Sequence, residues 1–183
     1  MKRMFKAIGA IAVAVLIGVS NPLAGIAAEE TTESTVTVSV PEVLSISSDA
    51  SSFTLPFQEF PKAGIESWAQ TVTYTVQSNN MQQADGAVAL RAHLDFPYDR
   101  IDLKAQVGTY SKTSGNTELV AANSDFVAIG TSNVTLANKG NTAEGSDGKL
   151  LDGTIPVTYK AVATDDVPSG DQIHILDVTL TTI

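Results

Sequence analysis

The sequence has no cysteine, only two histidines and only one tryptophan among its 183 residues. Without cysteine there is no disulfide framework, no thiol nucleophile and no cysteine-ligated metal. Basic residues are also scarce, since 11 lysines and arginines stand against 20 acidic residues and the net charge is −9. Nucleic-acid-binding proteins need clustered positive charge, so this composition excludes that class of function.

The first 28 residues differ in composition from the rest. Lys2, Arg3 and Lys6 precede the apolar run Ala7–Val19, and small residues follow at 24–28. This is the pattern of a cleaved secretory signal peptide, and 13 apolar residues are fewer than the roughly 20 that span a bilayer. We therefore expect cleavage after Ala27 or Ala28, giving a mature chain of 155 residues with a net charge of about −12. The expected location is secreted or cell-surface, with no membrane contact after cleavage.

The mature chain is dominated by alternation of apolar and polar residues. We interpret 29–34 as a flexible polar leader and 35–183 as a single domain. Strict alternation indicates half-buried strands, and regular turn signals with one short helical pattern at 61–68 argue against a parallel α/β fold. The sequence predicts an all-β protein, an antiparallel Ig-like or jelly-roll-type β-sandwich of about nine or ten strands. The predicted strands include 35–40, 43–46, 53–57, 71–77, 86–96, 101–107, 155–161 and 172–183, and the residues predicted to be buried are Val88, Leu90, Leu94, Phe96, Leu103, Val157 and Tyr159.

Catalytic motifs are missing from the sequence. His93 and His174 have no metal-ligand spacing and are expected to be solvated surface side chains, and no nucleophile elbow or phosphate loop is present. Acidic pairs would allow a glycosidase, but any acidic chain supplies them. We expect no catalytic residues, no enzyme activity and no cofactor. Calcium is the only metal with candidate ligands, in an Asn- and Gly-rich loop and an acidic pair: Asn138, Asn141, Glu144, Asp147, Asp152, Asp165 and Asp166.

Three aromatic residues are candidates for a ligand-binding face. Trp68, Tyr98 and Tyr110 could stack on sugar rings if they share one exposed surface. The alternative is that Trp68 covers the sandwich core beside Phe57 and Phe60. A secreted carbohydrate- or cell-wall-binding module would display such a face, with cell-wall or matrix polysaccharide as its partner.

The segment directly after the leader is a candidate assembly strand. Val36, Val38 and Val40 alternate with hydroxyl residues, so the segment has one apolar edge. It could insert into a neighbouring subunit, where main-chain hydrogen bonds and side-chain pockets would hold it. The alternative is that it pairs within its own domain.

The C-terminal part of the chain has a pattern that points to a family. The stretches Ile155–Tyr159, Val167–Asp171 and Val178–Thr181 form a strand, a Pro-Ser-Gly turn and a Thr-rich strand. This ending resembles secreted bacterial fimbrial and spore-coat-like subunits and is also similar to WxL-type surface domains, and the position of 35–40 resembles the donor strand of a polymerising pilin. The resemblance implies an exported, non-enzymatic bacterial structural protein whose partners are like subunits or other cell-surface proteins.

Overall fold

The computed structural model describes residues 35–81, 88–140 and 148–182, and the regular structure in them is entirely β. Ten strands lie in these ranges and no helix does, so the prediction of an all-β antiparallel protein is confirmed. The strands are β1 (Leu44–Ser48), β2 (Gln70–Ser78), β3 (Val88–Leu94), β4 (Ile101–Val107), β5 (Ser111–Gly115), β6 (Leu119–Ala121), β7 (Val127–Ile129), β8 (Val134–Lys139), β9 (Leu151–Ala163) and β10 (Leu176–Leu180).

The strands form two antiparallel sheets. The larger has the order β1-β2-β9-β4-β7, with β5 also paired to β9, and the smaller has the order β10-β3-β8-β6. Buried side chains from both sheets belong to one apolar cluster, as a sandwich requires. Each sheet has two end strands, and each of these has one edge without a sheet neighbour in the described chain. They are β1 and β7 in the larger sheet and β10 and β6 in the smaller.

Strand β9 is the centre of the larger sheet. It pairs with β2 along Gln70–Ser78 on one side and with β4 and β5 on the other. Its residues alternate between buried and half-buried along all 13 positions. The Tyr159 ring stacks on Phe53 at 5.0 Å between centroids, and its hydroxyl lies 2.9 Å from that of Tyr74 in a buried hydrogen bond. Alternation along β9 thus builds one wall of the core.

Several predicted core residues are confirmed and one is wrong. Leu90, Leu94, Leu103, Val157 and Tyr159 are all buried. Phe96 is 67% exposed because β3 ends at Leu94. The side chain of Asp95 accepts hydrogen bonds from the backbone N–H groups of Phe96 and Ile175, which turns the chain away from the sheet. The prediction for the Val88 side chain lies outside the described residues.

Two other predicted elements differ from the structure. Phe53, Leu55 and Phe57 alternate and are half-buried, yet 53–57 is not a strand, so the segment packs on the core without a hydrogen-bonded ladder. The predicted helical turn at 61–68 forms no helix. The Ile65 N–H closes a single turn on the carbonyl of Lys62, and backbone bonds from Gly64 to Ala163 and from Ser67 to Ala161 tie the segment to β9. Pairing with a long central strand overrides the weak local helical pattern.

The chain divides into two compact units, one ending at Ser39 and the other comprising Val40–Ile183. In the first unit the structure describes residues 35–39, which are exposed and form no strand. The second unit contains both sheets. Among the described residues the first strand therefore begins at Leu44, nine residues after the strand start predicted at Thr35.

Candidate assembly segment and ligand face

The candidate assembly segment has exposed valines. Val36, Val38 and Val40 are 81%, 80% and 75% exposed, and residues 35–43 belong to no strand. Residues 34–41 include no charged side chain, whereas Glu33 and Glu42 border them on either side. Three alternating exposed valines in a β-forming sequence are an unusual surface for a monomer, because isolated apolar residues are common but periodic rows of them are not.

The end of this segment is fixed by one side chain. The amide nitrogen of Asn79 donates to the carbonyl of Pro41 at 2.7 Å, and its amide oxygen accepts from the N–H of Val43 at 2.7 Å. The N–H of Asn79 also donates to the carbonyl of Val43 at 3.2 Å. Asn79 follows directly after β2, so it anchors the chain where it enters β1. No pattern in the sequence indicates this anchor, since it depends on the register between β1 and β2.

The three aromatic candidates differ in environment. Trp68 is 66% exposed, and its backbone N–H donates to the carbonyl of Pro56 at 3.1 Å. The expectation that Trp68 covers the core is therefore wrong. Tyr98 is half-buried and makes an edge-to-face contact with the ring of His174 at 4.3 Å between centroids. Burial, together with the nearby charge of Asp95, raises the pKa of the Tyr98 hydroxyl.

Tyr110 is directed towards β9 rather than outwards. Its hydroxyl oxygen is buried and lies over Gly153, where an added Cβ would collide with it and with the carbonyl of Ser111. Desolvation by burial, with the charges of Asp152 and Glu118, raises the pKa of Tyr110 to about 12. Trp68 is thus the one member of the predicted trio that presents most of its ring to solvent.

The two histidines are less exposed than expected and each faces a carboxylate. The His93 side chain is 33% exposed, and its Nε2 lies 3.5 Å from Oδ2 of Asp177. The His174 side chain is 19% exposed, and its Nδ1 lies 3.6 Å from Oδ1 of Asp95. The sequence missed both pairs because the partners lie far apart in the chain, and only the pairing of β3 with β10 brings them together.

The calcium candidates are only partly described. Asn141, Glu144 and Asp147 lie outside the described residues, and in the described part of the chain no cluster of three metal-ligating side chains occurs. Asp152 accepts hydrogen bonds from the Ser114 hydroxyl at 2.6 Å and the Gln77 amide at 3.1 Å. These two bonds hold the pKa of the Asp152 carboxyl below its ordinary value. The carboxylate thus has a structural role in joining β2, β5 and β9.

Exposed apolar side chains also occur at one end of the smaller sheet. Phe96, Ile173 and Ile175 are 67%, 88% and 63% exposed, and they lie where the chain leaves β3 and enters β10.

Within the described ranges, no helix is long and apolar enough to serve as a membrane span. The chain matches no protein-family model, no curated protein and no solved structure in the comparisons made with them.

Proposed function

We propose that the protein is an exported bacterial cell-surface structural protein, a fimbria-like or matrix-fibre subunit without enzymatic activity. The observation that carries the proposal is the row of exposed valines in a β-forming segment that belongs to no strand. The signal-like leader supports export, and a chain without cysteine has no thiol nucleophile.

Assembly would use the backbone of residues 35–40 in a strand conformation. Its N–H and C=O groups can add to a free sheet edge of a second copy, and the valines can enter pockets there. A segment of one copy that binds a different surface of the next makes a head-to-tail contact, which builds fibres when it does not close into a ring. Both sheets have edges without a neighbour in the described chain, and these edges are the acceptors that the proposal requires.

The test compares the mature chain, residues 29–183, with a variant carrying Val36→Thr, Val38→Thr and Val40→Thr. Threonine keeps the shape and strand preference of valine but places a hydroxyl in each pocket. We expect the unaltered chain to form polymers in analytical ultracentrifugation and electron microscopy, and the triple variant to remain monomeric with an unchanged melting temperature.

The matched control alters the other side of the same segment, with Thr35→Ser, Thr37→Ser and Ser39→Thr. This control should assemble like the unaltered chain, because it retains all three valines. A mature chain that stays monomeric at high concentration, or a triple valine variant that polymerises normally, would contradict the proposal.

A second candidate function is binding of carbohydrate or cell-wall polymer, and the exposure of Trp68 favours it. A tryptophan ring displayed to solvent can stack on a sugar ring. Trp68→Ala should then reduce pelleting of the protein with insoluble cell-wall polysaccharide. Phe60→Ala is the control because Phe60 is another aromatic residue with similar exposure, 69%. Equal pelleting of all three proteins would contradict a binding role for Trp68.

A further inference from the structure

Both histidines of the chain join the same two strands. His93 lies in β3, and its register partner in β10 is Asp177, the residue that its Nε2 faces at 3.5 Å. His174 precedes β10, and its Nδ1 faces Oδ1 of Asp95, which follows β3, at 3.6 Å. The β3 side therefore supplies His93 and Asp95, and the β10 side supplies Asp177 and His174, so each side contributes one imidazole and one carboxylate.

These pairs hold the last strand of the smaller sheet. Strand β10 is at the end of the sheet order, and β3 is its sheet neighbour. Beyond the paired residues, Asp95 accepts from the N–H of Ile175 at 2.9 Å, and the Gln172 side chain exchanges two hydrogen bonds with the backbone of Asp99 at 2.7 and 3.0 Å. Side-chain contacts thus extend the junction past the end of the ladder.

We propose that the two histidine–aspartate pairs form a proton-dependent clamp that tightens the attachment of β10 to β3 when the imidazoles are protonated. Histidine is the side chain that ordinarily changes charge between pH 5 and 8. Below this range each pair is a cation facing a carboxylate, whereas above it the imidazole is neutral and the charge attraction is lost. The inference does not depend on the proposed function, because it concerns the stability of one strand within a single copy.

Acidic side chains and an aromatic ring lie around His174. Asp95 faces His174 directly, and Asp99 and Asp171 line the same concave surface as His174. The ring of Tyr98 contacts the His174 ring. Arg100, which follows Asp99 in the chain, lies 4.0 Å from the Asp99 carboxylate and donates to the carbonyl of Asp166 at 2.9 Å.

Asp95 remains an anion through the relevant pH range. Desolvation by itself would raise the pKa of Asp95, but hydrogen bonds from the backbone N–H groups of Ile175 and Phe96 and the charge of His174 hold it below its ordinary value. Its carboxylate is therefore present on the acidic side of the histidine range.

His93 is the weaker member of the clamp. Asp177 faces it from β10, and Arg91 and Asp95 stand two residues away on either side along β3. On the β8 side, the register partners of Arg91 and Ala92 are the uncharged Thr135 and Val134. Its Nδ1 is buried without a hydrogen-bond partner in the described chain, and a second N–H there would stay unsatisfied. We therefore assign the larger part of the effect to His174.

The test measures amide hydrogen exchange of residues 177–180 in the mature protein at pH 5.5 and 8.0, with β6 and β8 as internal reference. Protection factors, corrected for the intrinsic pH dependence of exchange, are compared for the unaltered chain, His174→Gln, His93→Gln and the double variant. Two partly exposed ion pairs should raise the protection of β10 about tenfold at pH 5.5 relative to pH 8.0.

We expect His174→Gln to remove most of this tenfold difference, His93→Gln to remove the smaller part, and the double variant to remove all of it. Glutamine retains hydrogen-bonding capacity but cannot become charged, so the pH difference within each variant, rather than its absolute protection, measures the proton response. A double variant that keeps the full pH difference would overturn the clamp. A larger loss in His93→Gln than in His174→Gln would overturn the assignment to His174.

Discussion

Two segments of this protein have the same alternating pattern and opposite environments. In β9, Ile155, Val157 and Tyr159 are completely buried, whereas in the segment 35–40 all three valines are at least 75% exposed. Strand β9 has sheet neighbours on both edges, and the N-terminal segment belongs to no strand. Alternation therefore identifies a segment that can present an apolar face, but it does not determine whether another part of the protein buries that face.

The largest expected effect comes from placing a charge on each segment. Val157→Asp buries a carboxylate without a partner, which costs roughly 3–5 kcal/mol, a large part of the 5–15 kcal/mol that stabilises a typical domain. Val38→Asp places the same charge in solvent and should leave the melting temperature unchanged. Circular dichroism melts of both variants check this, and a large loss of stability in Val38→Asp would show that the N-terminal segment is covered within the folded chain.

The next effect tests how closely β9 is packed against β5. In Gly153→Ala the added methyl group would meet the carbonyl of Ser111 and the Tyr110 hydroxyl, so the backbone must shift, at a cost of about 1–3 kcal/mol. Gly130→Ala is the control, because no atom lies within 4 Å of the added group. Urea denaturation should separate the two, and equal stabilities would mean that the β5–β9 contact is looser than described.

A smaller effect should come from the buried tyrosine pair. Tyr74→Phe leaves the hydroxyl of Tyr159 without its 2.9 Å partner and should cost about 1–2 kcal/mol. Replacing both tyrosines by phenylalanine removes both polar groups and should recover part of the loss. A double-mutant cycle from denaturation curves measures the coupling, and strict additivity would contradict the buried hydrogen bond.

The smallest effect is a difference in alkaline stability. Burial raises the pKa of Tyr110 to about 12 in the folded protein, whereas an unfolded tyrosine ionises near pH 10. The stability from this residue is therefore fully present below pH 10 and is lost as the pH rises from 10 towards 12. Tyr110→Phe should flatten the fall of melting temperature over this interval. A parallel fall in both proteins would show that Tyr110 is free to ionise in the fold.

Much of the larger sheet could be predicted from the sequence. The strands containing Val72, Leu103 and Val157 were expected from their alternation, since a half-buried strand requires a period of two. The sequence does not show which segments pair through backbone hydrogen bonds. Its alternation therefore predicts a strand at 53–57, although this segment only packs on the core. Phe96 is on the same alternating face as Leu90 and Leu94, but β3 ends before it, where the Asp95 side chain accepts a hydrogen bond from the Phe96 N–H.

The candidate site was predictable in the same limited sense. The pattern identified Val36, Val38 and Val40 as an apolar row, and the structure shows that row exposed. Tyr98 and Tyr110 are candidates for an exposed face in the sequence, but both are half-buried, because rings adjacent to the core gain more by covering it than by facing water.

By itself the sequence determined that the protein is acidic, cysteine-free and built of alternating strands, because these properties depend on composition and on near neighbours along the chain. Only the tertiary structure decided which alternating segments found partners, which aromatic rings turned inwards and which carboxylates face the two histidines. The reason is that the two faces of a strand are set by its own sequence, whereas its hydrogen-bonding neighbours come from distant parts of the chain. Register between such strands places Asp177 opposite His93, whereas the valines of residues 35–40 belong to no strand and are exposed.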